Sequence, residues 1–152
     1  MKEITISWQR LVEDGRTCPR CGDTGEAVQQ AADTLRNALA GLGIGVRLEE
    51  GELATAEFTQ APLESNRILL QGRTLEDWLG ATTGQSPCCE VCGPNECRTV
   101  TVDGTTHEAI PADLIIRAGL LAAGQVLSEP GASEPCCGPR TGLAVVATGG
   151  CC

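Results

Sequence analysis

Ten cysteines constrain this sequence more than any other feature. Four of them fall within one stretch, SPCCEVCGPNEC, which runs from Ser86 to Cys97. Three of the cysteine sites contain two adjacent cysteines. A chain this rich in thiols has to accommodate them as disulfides, as redox groups or as metal ligands. The ten residues are Cys18, Cys21, Cys88, Cys89, Cys92, Cys97, Cys136, Cys137, Cys151 and Cys152.

Length and charge exclude several classes of protein. A chain of 152 residues can bury a core without disulfides. The net charge of -9 and an aromatic content of 2% argue against nucleic-acid binding. The first ten residues have no apolar core of signal-peptide length. The longest apolar run, 114–127, contains Arg117 and Gln125 and is too short to span a bilayer. We therefore expect a cytoplasmic protein without membrane insertion.

The expected location limits what the cysteines do. Five structural disulfides are not expected in a reducing compartment, although an even number of cysteines would allow them in a secreted protein. The thiols are therefore expected to be metal ligands, redox groups, or both.

Hydrophobic periodicity predicts the order of elements. Ile4, Ile6 and Trp8 alternate with polar residues, which is typical of a strand with one buried face. Apolar residues from Val28 to Leu42 recur at steps of three and four, which predicts a helix beginning at Thr24. The same reasoning predicts strands over 45–49, 67–70, 98–102 and 105–110, and helices over 55–60 and 112–127.

This order, β-α-β-α-β-β-β-α, predicts an α/β sandwich. We expect one domain over residues 1–127, with a cysteine-rich loop inserted at 80–97. From residue 128 onward glycine and proline recur every few residues. We therefore expect 128–152 to be a flexible, irregular, cysteine-rich tail.

Cys18-Pro19-Arg20-Cys21 follows the first predicted strand and precedes the first predicted helix. Unpaired backbone N–H groups and the helix dipole stabilise a thiolate at a helix N-terminus, and Arg20 adds positive charge. We expect a lowered pKa for at least one of these thiols. A C-x-x-C in this context indicates a redox motif, and the alternative is half of a structural zinc site with four cysteine ligands.

The central cysteines Cys88, Cys89, Cys92 and Cys97 favour soft ions, because thiolates are soft ligands. Zinc sites are usually built from two separated C-x-x-C turns, and the side chains of adjacent cysteines diverge unless a loop brings them together. A flexible loop with surplus thiols suits As(III) or Sb(III), which bind three sulfurs in a pyramid, and Hg(II), which binds two or three. The adjacent pairs at 136–137 and 151–152 repeat this pattern.

Over about residues 3–127 the chain resembles thioredoxin-like proteins. It is similar to a family of small, uncharacterised bacterial proteins of unknown function with that fold. The resemblance implies a thioredoxin-like sandwich. Such proteins usually place a cis-proline directly before the third strand, facing the active-site cysteines, whereas this chain has Ser65-Asn66-Arg67. The motifs that carry the resemblance are SWQRL, TCPRCGDTG, PLESNRILLQGR, EDWLGA, CCEVCG and EAIPADLIIRAGLLAA.

The tail pairs Cys136-Cys137 and Cys151-Cys152 resemble those of the arsenic metallochaperones of arsenical-efflux operons. In that family the first cysteine pair and a nearby cysteine form the metalloid site. Carried over to this chain, the resemblance implies a site at Cys88, Cys89 and Cys92.

These observations lead to one hypothesis with two alternatives. The hypothesis is that clustered thiolates bind As(III), Sb(III) or Hg(II) in metal(loid) resistance and pass the ion to an efflux pump or a reductase. The first alternative is an enzyme, either a thiol-disulfide oxidoreductase with Cys18 and Cys21 as catalytic residues or an organomercurial lyase with Asp23 as proton donor. The second is a structural zinc protein.

Overall fold

A computed structural model describes residues 1–130, which contain two β-sheets and four α-helices. Strand β1 (Lys2–Leu11) is an inner strand of the first sheet. It pairs in parallel with β2 (Ile44–Leu53) and antiparallel with β3 (Arg67–Leu70). Strand β4 (Arg73–Thr74) continues the sheet antiparallel to β3, which gives the order β2-β1-β3-β4.

Two long helices, α1 (Pro19–Ala40) and α4 (Ala112–Ser128), contact β1 and each other. Every third or fourth residue of α1 is apolar, and these residues form its buried face. The helices approach closely at Gly119 of α4, where a Cβ atom would lie 2.4 Å from Cδ1 of Leu35. The core is therefore an aliphatic layer between the sheet and this helix pair.

The second sheet is antiparallel, and its order is β5 (Thr82–Pro87), β6 (Glu96–Val102), β7 (Thr105–His107). A short 3₁₀ turn, Glu90–Cys92, lies between β5 and β6. Thr105–His107 is shorter than the predicted strand 105–110.

A buried ion pair ties the second sheet to the rest of the molecule. Nε of Arg98 on β6 lies 2.7 Å from Oε1 of Glu76, which belongs to α3 (Leu75–Leu79). The same guanidinium donates a hydrogen bond of 2.7 Å to the carbonyl of Leu63. The remaining elements of this connection are α2 (Thr55–Gln60) and a 3₁₀ turn at Pro62–Glu64.

The predicted mixed α/β class is confirmed, but the structure contains more elements than the predicted order. The strands β4 and β5 are additional, and helix α3, which the predicted order leaves out, begins at the capping sequence 74–77. The segment 80–97 is not simply a loop, because Thr82–Pro87 and the start of β6 are strand residues. Helix α1 begins at Pro19 rather than at Thr24, because proline is favoured in the first helical turn, where its missing N–H costs nothing.

The predicted tail lies almost wholly outside the described residues. Helix α4 continues to Ser128, one residue beyond the predicted helix end at 127. Cys136, Cys137, Cys151 and Cys152 belong to the part of the chain that the structure does not describe. Within residues 1–130, no helix combines the length and the apolar character that crossing a bilayer requires.

Candidate metal centre

Cys18 is the N-cap of α1, the residue immediately before the first helical turn. Its extended backbone lets its sulfur point back at the helix, and the backbone N–H of Cys21 donates a hydrogen bond of 3.5 Å to that sulfur. The side chain of Cys18 is buried. The first cysteine of the CPRC motif therefore lies at the positive end of a helix of 22 residues.

Four sulfur atoms meet beside this helix end. The Sγ atoms of Cys18, Cys88, Cys89 and Cys92 all lie within 4.8 Å of one another. The Sγ atoms of Cys18 and Cys88, which are 70 residues apart in sequence, are separated by 3.5 Å. Four thiolates that each bind one ion at about 2.3 Å would stand about 3.8 Å apart. These four cysteines therefore lie close enough together to hold a metal ion, and we call them the four-sulfur group.

The adjacent cysteines 88 and 89 both belong to this group. Cys89 has an extended backbone and precedes the 3₁₀ turn that contains Cys92. The chain therefore turns sharply within these five residues, and the turn brings side chains together that would diverge on a regular strand.

Cys21 and Cys97 lie beside the four-sulfur group and are not members of it. The Sγ atom of Cys21 lies 3.7 Å from Oγ of Ser65, which follows the 3₁₀ turn Pro62–Glu64 and lies two residues before β3. The Sγ atom of Cys97 lies 3.1 Å from that of Cys92. Of the two cysteines in the CPRC motif, only Cys18 belongs to the four-sulfur group.

The expectation of a lowered thiol pKa at this helix end is confirmed for Cys21. The hydrogen bond with Cys18 lowers the pKa of the Cys21 thiol, and the contact with Ser65 lowers it further, against the effect of burial. The main cause is thus the neighbouring thiol, whereas the sequence analysis named the helix dipole and Arg20. The same hydrogen bond, together with burial, raises the pKa of Cys18.

Burial is the main cause of the raised pKa of two further thiols, Cys92 in the 3₁₀ turn after β5 and Cys97 on β6. It raises the pKa of Cys92, and it raises the pKa of Cys97 to about 12. Without an ion these thiols are therefore protonated at neutral pH. An ion bound by Cys18 and Cys92 has to displace protons from both, so ion binding at this site becomes tighter as the pH rises.

The four-sulfur group has a buried side and an accessible side. Cys18 and Cys92 are only 2% and 3% exposed, whereas Cys88 and Cys89 are partly exposed. An ion arriving from solvent would therefore meet Cys88 and Cys89 first.

Arg20 fastens the strand end that carries Cys88 to helix α1. Its Nη2 atom donates a hydrogen bond of 3.0 Å to the carbonyl of Pro87 and lies 3.2 Å from Oε1 of Glu108. Ser86 donates a hydrogen bond of 3.1 Å to the same carboxylate. In the sequence Arg20 is only a nearby charge, because nothing local to CPRC indicates that Pro87 and Glu108 are close to it.

The family model described as "Domain of unknown function (DUF2703)" matches residues 4–119 of this chain. The chain belongs to this family. The six cysteines up to Cys97 lie inside the matched residues, and the four from Cys136 onward lie beyond them. The membership confirms the predicted resemblance to a family of unknown function.

An "Uncharacterized protein" from the archaeon Archaeoglobus fulgidus is 46% identical to this chain over 113 residues. The alignment covers 74% of this chain and 82% of the relative. This relative is archaeal, whereas the expected resemblance is to bacterial proteins. No solved structure matches the chain.

Proposed function

We propose that this protein binds a soft metal or metalloid ion, such as As(III), Sb(III) or Hg(II), and transfers it by thiolate exchange. The observation that carries the proposal is the convergence of four sulfur atoms from two distant segments within 4.8 Å. All four donors are sulfur, and thiolates select soft or borderline ions. Cys18 and Cys92 are buried, so water is largely excluded from one side of the site, and this favours retention of a thiophilic ion.

Transfer, as opposed to permanent storage, is supported by the uneven exposure of the four sulfurs. Cys88 and Cys89 are accessible to thiols from another molecule, and a shared thiolate lets a tightly held ion move without being released. We propose that the C-terminal cysteine pairs deliver or accept the ion in this way. An efflux pump or a reductase, in a cytoplasmic resistance system, is the proposed partner.

A thioredoxin-like arrangement is part of the proposal. It is supported by the parallel β1–α1–β2 unit, the antiparallel β3, and the position of CPRC at the start of α1. Ser65, which stands where such proteins usually have a proline before the third strand, contacts Cys21.

Structural zinc binding is the second candidate, and the number of sulfurs favours it. Four thiolates match the tetrahedral coordination of structural zinc sites. Thiol-disulfide exchange has less support, because an attacking thiolate has to be accessible. Cys18 and Cys21, the cysteines of that alternative, are both buried. For the lyase alternative, the candidate proton donor Asp23 is exposed on α1, whereas these two cysteines are buried.

The test compares two cysteines of the same motif, Cys18→Ser and Cys21→Ser. Reduced protein is exposed to As(III), Hg(II) and Zn(II) and examined by native mass spectrometry. We expect the Cys18 variant to bind the ions more weakly, because it removes a buried donor from the four-sulfur group, and the Cys21 variant to bind like the parent. Unchanged binding by a Cys88→Ser, Cys89→Ser, Cys92→Ser triple variant would refute the proposal. Protein that arrives already loaded with one zinc per chain and binds neither As(III) nor Hg(II) would favour the structural alternative.

A further inference from the structure

A fifth sulfur adjoins the four-sulfur group. Cys97 lies at the start of β6, is fully buried, and has its Sγ atom 3.1 Å from that of Cys92. The Sγ atoms of Cys88 and Cys92 lie within 4.8 Å of each other. Cys92 therefore belongs to the four-sulfur group and also links Cys97 to Cys88, which gives a chain of three sulfurs: Cys88, Cys92 and Cys97.

We propose that the cluster binds a second ion through Cys88, Cys92 and Cys97, with the sulfurs of Cys88 and Cys92 bridging the two ions. The inference rests on the proposed function, since the four-sulfur group is taken as the first site. Sulfur has several lone pairs, so one thiolate can bind two ions at once. The ions that accept shared thiolates in flexible geometries are those with a filled d shell, such as Zn(II), Cd(II), Hg(II) and Cu(I).

Charge favours the occupation of both sites. Four thiolates around one divalent ion leave about two negative charges on a mostly buried group, and an uncompensated buried charge is costly. A fifth thiolate and a second divalent ion reduce this to about one negative charge. Arg20, whose side chain is 8% exposed, lies at the carbonyl of Pro87 next to Cys88 and carries the opposite charge.

Geometry distinguishes Cys97 from a cysteine that only fills space. A free cysteine is often buried simply as a small apolar residue, and such a thiol needs no sulfur neighbours. Cys97 instead has its sulfur 3.1 Å from that of Cys92, a member of the four-sulfur group. Ser86, its partner across the β5–β6 pairing, lies two residues before Cys88, which directly follows the end of β5 at Pro87.

The test uses the full chain with Cys136, Cys137, Cys151 and Cys152 replaced by serine, so that ions bound elsewhere are not counted. This protein is reduced, titrated with Cd(II) and examined by native mass spectrometry. We expect two Cd(II) ions per chain. Cys97→Ala should reduce this number to one, because the four-sulfur group stays intact. The matched control Cys21→Ala, which removes a thiol of equal burial outside the five, should retain two.

Each outcome decides one question. One Cd(II) per chain overturns the second site and leaves the proposed function standing, whereas no bound Cd(II) overturns both. Two ions retained by Cys97→Ala, or one ion lost from Cys21→Ala, overturns the assignment to Cys97. If Cys97→Ala does not fold, ¹¹³Cd NMR of the protein that retains Cys97 decides whether two bound ions share a thiolate. Two resonances split by coupling between the ions require a shared thiolate, and two resonances without such coupling refute the bridge.

Discussion

Two cysteines of one short motif have opposite surroundings. Cys18 is the N-cap of α1, and its Sγ atom lies 3.5 Å from that of Cys88, the residue after β5. Cys21 lies inside the first helical turn, and its sulfur faces Ser65, two residues before β3. One hydrogen bond between the two residues lowers the pKa of Cys21 and raises that of Cys18. The two thiols of a C-x-x-C pair therefore have different chemistry in this protein.

At the residue scale, the buried thiols make the stability of the ion-free protein depend on pH. The pKa of Cys97 is raised to about 12 in the folded protein, from an ordinary value of 9.0. Between these two values the unfolded chain has released a proton that the folded protein still holds. The stability contribution of Cys97 is therefore fully present below pH 9 and is lost as the pH rises toward 12. The raised pKa values of Cys18 and Cys92 act in the same direction.

We therefore expect the free energy of unfolding of ion-free, reduced protein to fall between about pH 9.5 and pH 11, by up to about 1.4 kcal/mol per pH unit for each such thiol. Urea denaturation in the absence of oxygen measures it. Tyrosine and lysine side chains also titrate near pH 10 and would add to the change. This chain has no tyrosine and one lysine, Lys2, so the thiols dominate the measurement. Cys97→Ala should make the fall shallower, and an identical slope in that variant would contradict the prediction.

At the element scale, the contact between α1 and α4 depends on a residue without a side chain. Leu35 packs directly against Gly119, so an added methyl group has to push it aside in a fully buried position. We expect Gly119→Ala to destabilise the protein by about 1–3 kcal/mol, since overpacking forces side chains out of their rotamers. Thermal or urea denaturation measures this change.

Gly124 is the matched control on the same helix. It is exposed, and nothing lies within 4 Å of the Cβ that an alanine would add. Gly124→Ala should therefore raise the stability by about 0.5–1 kcal/mol, because alanine loses less backbone entropy in a helix. Equal effects of the two substitutions would mean that helix propensity, and not the contact between the helices, decides both.

The elements that sequence patterns predicted well are those whose own residues alternate or repeat. Apolar residues alternate along strand β1 and recur every three or four residues along helix α1, and both elements are present. Strand β5, TTGQSP, has no apolar alternation, so it was predicted as part of a loop. Its strand form depends on pairing with β6, including the close approach of Gly84 to Thr99. Pairing of this kind is a tertiary property that no local pattern contains.

At the scale of the whole molecule, an ion in the four-sulfur group would join helix α1 to the segment between β5 and β6. We expect Cd(II) at 100 times its dissociation constant to stabilise the folded protein by about 2.7 kcal/mol. Hydrogen exchange should slow most in residues 82–102, because the ion would hold this hairpin to the helix end. Melting temperature and exchange mass spectrometry measure the two effects.

The pair Cys18→Ser and Cys21→Ser again separates the explanations. The first variant should lose most of the gain in stability and in exchange protection, and the second should keep both. Protection gained equally by the two variants would mean that the ion binds to the hairpin alone.

The type of donor atom and the mixed α/β class can be predicted from the sequence. Ten thiols, an acidic charge and strong periodicities are sufficient to predict soft-ion ligands on an α/β scaffold. The folded arrangement sets which thiols meet. Cys18 and Cys88 are 70 residues apart, and their distance of 3.5 Å depends on the end of β5 lying beside the start of α1, where Arg20 donates a hydrogen bond to the carbonyl of Pro87. Cys21 lies in the first turn of α1, and its sulfur contacts Ser65 instead of the four-sulfur group. Spacing along the chain reports which ligands are available, whereas only the packed elements fix their distances.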